Sequence, residues 1–404
     1  MLLYRLLISI LAAVVLTRAA LRADGRALRD RLGRNAPQSE GAHIWLHAAS
    51  NGELASARPV IAALRAAYAQ TPLLITCNSE SGVALARSWG IDRVSAHLAP
   101  LDLSRVSRRM MKRWKVRAFI AMESELWPHR ILSCQGPVIV LGARMSAGTA
   151  KSWVRLDRLA RRVLGRVVYA SAQDAGSRQR LVSLGLPEDR FGPDLNLKAL
   201  YLPSPMHDPA LAAAFDRAET WLAASTHEGE EDILAKAHQL ALQKRPNLRL
   251  ILAPRHPGRG DEVAAILTRA GLSFSRRSKG QSPEGVSVYL ADTLGEMPLW
   301  YDLAGVCFIA GSLTDRGGHT PFEPAAHGQA ILHGPDVANF ADSYAALQAA
   351  GVTRLTPSAD TIARALNDLA DPAVQASLGA QARAVLAADV PAEQVLQEII
   401  AALR

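Results

Sequence analysis

Glu53 and Glu123 each stand just beyond a short apolar run: Ser50-Asn-Gly-Glu53 follows Ile44–Ala49, and Met122-Glu-Ser-Glu-Leu-Trp-Pro128 follows Ala118–Met122. If those runs are parallel strands, both carboxylates project from one edge of a sheet. Group transfer with inversion, as in glycosyl transfer, needs one base to take the proton of the incoming hydroxyl. A carboxylate held partly away from water has its pKa raised towards that task. Either glutamate equally fits a helix start, where the local dipole stabilises an acid. Glu125 is the alternative within its pair.

The later half offers phosphate-compatible loops. Ala310-Gly-Ser-Leu-Thr-Asp-Arg-Gly-Gly-His-Thr-Pro-Phe-Glu-Pro-Ala-Ala-His-Gly328 follows an apolar run and leads into a short helix expected near Pro321. Its glycines let the backbone approach a ligand, and free amides at a helix start attract phosphate. Glu323 would lie in the first turn, where its carboxylate could accept from a ribose diol; a stabilising first-turn acid is the plainer reading. Pro254-Arg-His-Pro257 and Asp292-Thr-Leu-Gly-Glu296 also follow apolar runs. Arg255 could neutralise a leaving phosphate or be a solvated turn arginine. There is no Gly-x-Ser-x-Gly elbow, no His-Glu-x-x-His pair, no Walker loop and no Asp-x-Asp pair. His319 and Glu323 do not make a metal site between them, so cationic side chains and helix ends, not a metal, are expected on a departing phosphate.

Parallel strands are the scaffold these loops require. Ile44–Ala49, Leu73–Cys77, Ala118–Met122, Val138–Leu141 and Val167–Ala172 read as buried strands, with helical spacing over Leu54–Ala69 and Leu103–Trp114. A second series, Trp221–Ala224, Leu248–Ala253, Val286–Leu290, Val306–Ala310 and Ala330–His333, follows the proline-rich stretch Tyr201–Pro209, which reads as a linker. Both series open alike, running into small polar residues and then Gly-Glu, at Gly52-Glu53 and at Gly229-Glu230. This alternation predicts an α/β protein of two Rossmann-like halves with parallel sheets and a cleft between them. The expected domains are 1–22, an apolar helix; 23–200, the first half; and 201–404, the second.

Of the 404 residues, 49% are apolar and 21% charged, which excludes a disordered chain, and the 5% aromatic content suits helices on parallel strands better than a β-sandwich. Cys77, Cys134 and Cys307 are odd in number and widely separated; they read as buried thiols in a reducing compartment. A formal charge of +9 favours an anionic partner. The basic stretches Arg105–Arg117 and Arg155–Arg166 could face lipid head groups or a phosphorylated acceptor, or be solvated helix faces. Nucleic acid is disfavoured by the scarcity of stacking aromatics. At the amino terminus, Arg5 and Arg18 bracket an apolar stretch, Leu6–Leu16, shorter than the roughly 20 residues of a clean membrane span. A signal peptide, a short anchor and an interfacial helix compete. Arg18-Ala-Ala-Leu-Arg22 is a poor cleavage site, so an anchor or interfacial helix on the cytoplasmic side is expected.

Together, His47-Ala-Ala-Ser-Asn-Gly-Glu53, Met122–Pro128, Gly142-Ala-Arg-Met-Ser146, Ser225-Thr-His-Glu-Gly-Glu230, Pro254–Pro257, Asp292–Glu296 and the Gly311–Gly328 loop resemble the 3-deoxy-D-manno-octulosonic acid (Kdo) transferases, from the amino-terminal helix to about Phe340. The resemblance implies a GT-B fold and inverting transfer of Kdo from CMP-Kdo, without metal or other cofactor, to a lipid A precursor of the lipid IVA type. This would take place at the cytoplasmic face of the bacterial inner membrane. By motif, it implies Glu53 as general base, and Glu123 and Lys198 as transition-state stabilisers. It puts the CMP contacts at Pro254, Arg255, Leu294, Gly295, Glu296, Thr320, Pro321, Phe322 and Glu323. Lys198 and Arg255 would balance the departing phosphate. Departures from the family pattern are Asn51 for Val, His129 for Asn, Leu294 for Met, Thr320 for Asn, and Leu195-Asn-Leu-Lys-Ala-Leu200 for Gly-Asn-Leu-Lys-Phe-Asp. The alternatives are a UDP-sugar transferase or 2-epimerase on the same architecture, or a non-catalytic, membrane-attached nucleotide-sugar binding protein.

Overall fold

The computed structural model describes residues 2–201, 203, 206, 208–387 and 392–404. The chain divides between Leu200 and Tyr201 into two compact units. In the first, β1 (His43–His47), β2 (Leu73–Cys77), β3 (Val94–Leu98), β4 (Val116–Met122), β5 (Val138–Ala143) and β6 (Val167–Ala172) form one sheet in the order β3-β2-β1-β4-β5-β6. All its pairings are parallel. Side chains alternate across a strand, so Ile44 and Leu46 enter a core with Val60, Ile61 and Leu64, while Trp45 enters the opposite core with Trp114 and Phe119. Helices must therefore cover both faces, which is why β1 reads as a nearly continuous apolar run.

The second unit repeats the plan. Its strands are β7 (Thr220–Thr226), β8 (Arg249–Pro254), β9 (Phe274–Arg276), β10 (Val288–Leu290), β11 (Val306–Ile309), β12 (Ala330–His333) and β13 (Thr353–Leu355), in the order β13-β12-β11-β7-β8-β10-β9. These too pair in parallel. In each sheet the connections diverge from a central strand, at β1/β4 and at β7/β11. Helices leaving in opposite directions cannot fill that point, so a crevice opens beyond the carboxyl ends of the two strands. Glu53 and Glu123 follow β1 and β4; Glu230 and the Gly311–Gly328 loop follow β7 and β11.

Several expectations need correction. The second unit does not extend to residue 404. The helix Ala392–Ala401 returns to the first unit, where its Val395 and Ile399, with Leu403 just beyond it, are buried in the core. There Glu398 accepts from the Tyr169 hydroxyl at 3.0 Å. Nothing in a reading by chain order signals such a return. Leu54–Ala69 is not one helix: Asn51–Ser56 ends and Arg58–Ala67 begins at Ala57, because Pro59 supplies no amide for a continuous ladder. Three strands were not anticipated. β3 carries Ser95 and His97, and His97 donates from Nδ1 to buried Asp30 at 3.2 Å; β9 and β13 are three-residue edge strands with polar residues. The stretch Tyr201–Pro209 lies partly outside the described residues. All three cysteines are buried.

The amino-terminal helix, Leu2–Leu21, contains an 18-residue window, Tyr4–Leu21, long and apolar enough to cross a membrane by length and composition. Ile8 and Ala12 are buried, whereas Leu6 and Ile10 are more than half exposed, at 60% and 56%. Near its start, Tyr4 donates to Asp102 at 2.6 Å, and Asp102 also accepts from the His129 and Arg130 amides at 2.8 Å each.

Candidate active site

In the first unit, the turn after β1 is a helix cap. The Ser50 hydroxyl accepts from the Glu53 amide at 3.2 Å, while the Glu53 carboxylate accepts from the Ala49 amide at 2.9 Å and the Ser50 hydroxyl at 3.2 Å. This reciprocal arrangement fixes the carboxylate at the head of Asn51–Ser56. Burial first, then the carboxylate of Glu123 and more weakly that of Glu125, push Glu53 from its ordinary 4.5 up to about 7; the Ala49 amide and the Ser50 hydroxyl oppose the rise. The sheet thus brings Glu53 and Glu123 to one edge.

Glu123 has a left-handed backbone, φ +46°, which is uncommon outside glycine. Its amide is tied to the Leu141 carbonyl at 2.8 Å, and its side chain accepts from Lys198 Nζ at 2.6 Å. Lys198 is held in a tight turn, Leu197–Leu200, by buried Leu195, Leu197 and Leu200. Gly142 makes room for it: a Cβ there would lie 3.0 Å from the Leu197 side chain, and φ is +59°. Glu125 has another fate. It accepts from His47 Nε2 at 2.8 Å and from the Trp127 indole. Burial alone would raise its pKa, but those contacts and the Arg130 guanidinium hold it below its ordinary value. Burial, with Arg130 nearby, keeps His47 below 6.5, so this contact is a hydrogen bond from a neutral ring rather than an ion pair. Of the two glutamates in the segment, Glu125 is committed to internal partners, and Glu123 is the one coupled to Glu53.

In the second unit, Glu230 is fully buried at the end of β7. One carboxylate oxygen accepts from the His227 and Gly311 amides at 2.9 and 2.8 Å, the other from Ser312 and Leu313 at 3.1 and 3.0 Å. The amides of Gly311, Ser312 and Leu313 are therefore occupied by a side chain of the protein. Farther along the loop, Pro321 precedes the helix Phe322–Ala326, the Thr320 hydroxyl accepts from the Phe322 amide at 3.4 Å, and Phe322 is itself buried. Tyr301 hydrogen-bonds Glu323. Pro254 ends β8, and Arg255 lies exposed beyond it with its amide on the Thr226 carbonyl at 3.0 Å. Leu294 is 69% exposed beside Gly295, whose φ of +84° makes the turn into Met297–Leu303. Glu296 accepts from Arg277 at 2.6 Å and from the Thr293 hydroxyl. Burial opposes ionisation there, but these partners hold Glu296 below its ordinary value.

A family model described as 3-deoxy-D-manno-octulosonic-acid transferase (kdotransferase) matches residues 26–200. The chain is 32% identical to the 3-deoxy-D-manno-octulosonic acid transferase of Haemophilus influenzae over 339 residues, covering 81% of this chain and 78% of the relative. It is 33% identical to that of Bordetella pertussis over 384 residues, 89% and 86% of the two chains. This chain belongs to the Kdo transferase family. It is therefore a glycosyltransferase. The UDP-GlcNAc 2-epimerase of Neisseria meningitidis, at 14% identity and a TM-score of 0.60 over 89% of this chain and 99% of that one, shares the two-domain fold alone.

Three of the departures from the Kdo transferase pattern have local structural explanations. Leu195 and Leu200 are core residues that seat the Lys198 turn. Asn51 accepts from the Ser81 hydroxyl at 3.2 Å and from Ser79 at 3.4 Å, which gives its polar side chain partners two residues before Glu53. His129 packs its ring on Tyr4, with centroids 5.6 Å apart. Three residues were missed as contributors to the site: His227, Glu230 and Arg277. The repeated Gly-Glu after the first strand of each half was the available signal for Glu230; Arg277 stands in an unremarkable polar stretch and left none.

Proposed function

We propose that this glycosyltransferase moves Kdo from CMP-Kdo, with inversion, to a lipid A precursor at the cytoplasmic face of the bacterial inner membrane. The observation that carries the reading is the Glu53 carboxylate, fastened at a helix start and raised to about 7 beside Glu123. A base with that pKa is ionised in useful amount at neutral pH and still accepts a proton readily. The acceptor hydroxyl oxygen attacks the anomeric carbon of Kdo, its proton passes to Glu53, and the bond to phosphate breaks with its electron pair leaving on CMP. Glu123, oriented by its hydrogen bond from Lys198, supports the positive charge that develops on the sugar. The first unit serves the acceptor and the second the nucleotide, with Pro254, Arg255, Leu294–Glu296 and Thr320–Glu323 as its contacts. In this reading Arg255 balances the departing phosphate, and neither metal nor other cofactor is required.

The exposed apolar face of Leu2–Leu21, with the basic helix Ser104–Arg113, supports membrane attachment. Detergent-solubilised full-length protein is to be incubated with CMP-Kdo and a tetra-acylated lipid A precursor, and the lipid mass followed. A gain of one or more Kdo units is expected. No gain from a protein that still binds CMP would defeat this choice of donor sugar and acceptor.

Lys198→Met tests the pairing with Glu123. The substitution removes this cation from a carboxylate coupled to Glu53, so the acid limb of the pH–rate profile is expected to move upwards and turnover to fall roughly a hundredfold. An unmoved limb with normal turnover would remove Lys198 from the site.

A further inference from the structure

Three histidines converge beyond the carboxyl ends of β7, β8 and β11, and none has a part in the transfer steps proposed above. The rings of His227 and His319 lie nearly parallel, 12° apart with centroids at 5.1 Å, and their Nε2 atoms are 2.9 Å apart. His256 meets His227 edge-on at 6.2 Å. Two imidazole nitrogens at 2.9 Å form a hydrogen bond only when one proton lies between them.

The surroundings decide which ring supplies it. His319 also hydrogen-bonds the Ser225 carbonyl, and with Nε2 taken by His227 the nitrogen left for that bond is Nδ1. Neutral His319 then presents a bare Nε2, His227 donates its Nε2–H, and Nδ1 of His227 keeps a free lone pair. The pair is built into the fold. Ser225 adopts φ +61° at a bulge in β7. Gly311, at φ +68°, has a backbone conformation that L side chains rarely adopt, and a Cβ there would sit a tight 3.1 Å from the His319 ring. A single Glu230 oxygen accepts the amides of both His227 and Gly311, fastening together the two segments that bear the rings.

The charged groups acting on His227 are Glu230, which favours its protonation, and Arg316, His256 and Arg255, which oppose it; burial is the largest influence, and it too favours the neutral ring. His319 is held down to about 4 by burial, then by His227, Arg255 and His256. With no anion present, the pair is neutral at pH 7. A phosphate set among Arg255, Arg316 and His256 reverses the local field and favours the imidazolium.

We propose that the His227–His319 pair is a phosphate-binding element for the nucleotide, which takes up one proton from solvent on Nδ1 of His227 as the phosphate arrives and donates it as a hydrogen bond to a phosphate oxygen. His227 is the contact; His319 is a positioning residue that holds its tautomer. This rests on the assignment of the second unit to the nucleotide.

Calorimetric titration of the full-length protein with CMP, at about pH 7.5 in two buffers of different ionisation enthalpy, reads proton uptake directly. Uptake of roughly half to one proton per CMP is expected, and none with cytidine, which lacks the phosphate. His227→Asn keeps a donor near Nδ1 but cannot charge. It is expected to bind CMP roughly tenfold or more weakly, with no proton uptake and unchanged cytidine binding, which also reports that the unit is folded. CMP binding by the unsubstituted protein without uptake, or equal uptake by His227→Asn, overturns the proposal while leaving the nucleotide assignment standing. Absence of CMP binding to the unsubstituted protein overturns both.

Discussion

Glu53→Gln is expected to lower transfer by about a thousandfold or more, to spare CMP binding, and to stabilise the first unit. The loss follows because Gln keeps the shape and the acceptor for the Ala49 amide but cannot take the hydroxyl proton. The unsubstituted enzyme should lose activity as pH falls through about 7, where Glu53 becomes protonated. The stability effect has the opposite sense from that of a salt-bridged carboxylate. Between 4.5 and about 7 the folded state binds more protons at Glu53 than the unfolded chain does, so stability falls as pH rises through that window. Above it the cost of the buried charge is about 3 kcal/mol, and Gln removes it, so the thermal midpoint should rise by several degrees. Initial rates across pH and a calorimetric melt check both halves. Near-normal turnover in the variant would remove Glu53 as base, whatever happened to the melt.

Glu230→Gln is expected to destabilise the second unit by about 3–5 kcal/mol. The carboxylate accepts two backbone amides on each oxygen. In either orientation the amide group of Gln turns an NH₂ towards two of those N–H groups, leaving two buried donors unpaired and adding two more N–H of its own. Because the contacts lie wholly within the second unit, the melting of that unit should drop by roughly 10 °C, while the transition of the first stays in place. CMP affinity should fall with it, since the same carboxylate holds the Gly311 loop against His227. A scanning-calorimetry trace unchanged within about 1 kcal/mol would mean that the loop does not depend on Glu230.

The contrast between these two glutamates marks where sequence reading succeeds and stops. The chain writes Gly-Glu after the first strand of each half, at Gly52-Glu53 and at Gly229-Glu230. Strand spacing alone placed both after a strand, because burial on two faces demands runs such as Ile44-Trp-Leu46 and Trp221-Leu-Ala-Ala224. The loops bearing Arg255, Glu296 and Glu323 were legible for the same reason. β3 and the three-residue strands β9 and β13 were not, since their polar residues break the pattern and their partners lie far along the chain. The return of Ala392–Ala401 to the first unit was equally hidden: an apolar face states that it must be buried, not against which unit.

What the order of residues dictated was therefore a pair of parallel sheets, the strand ends that bear the candidate chemistry, and a family whose motifs sit on those ends. Tertiary structure decided the state of each group there. Glu230 meets four amides across the β7/β11 crevice and becomes a buried fastening. Glu53, in the equivalent place at β1/β4, faces Glu123 and Glu125 instead and is pushed up to about 7. Glu125 is neutralised as a candidate by His47 and Trp127, and two histidines distant in sequence come to share one proton. Proton affinity depends on burial and on charges within a few ångströms, and neighbours at that range are chosen by strand order and loop packing rather than by position along the chain.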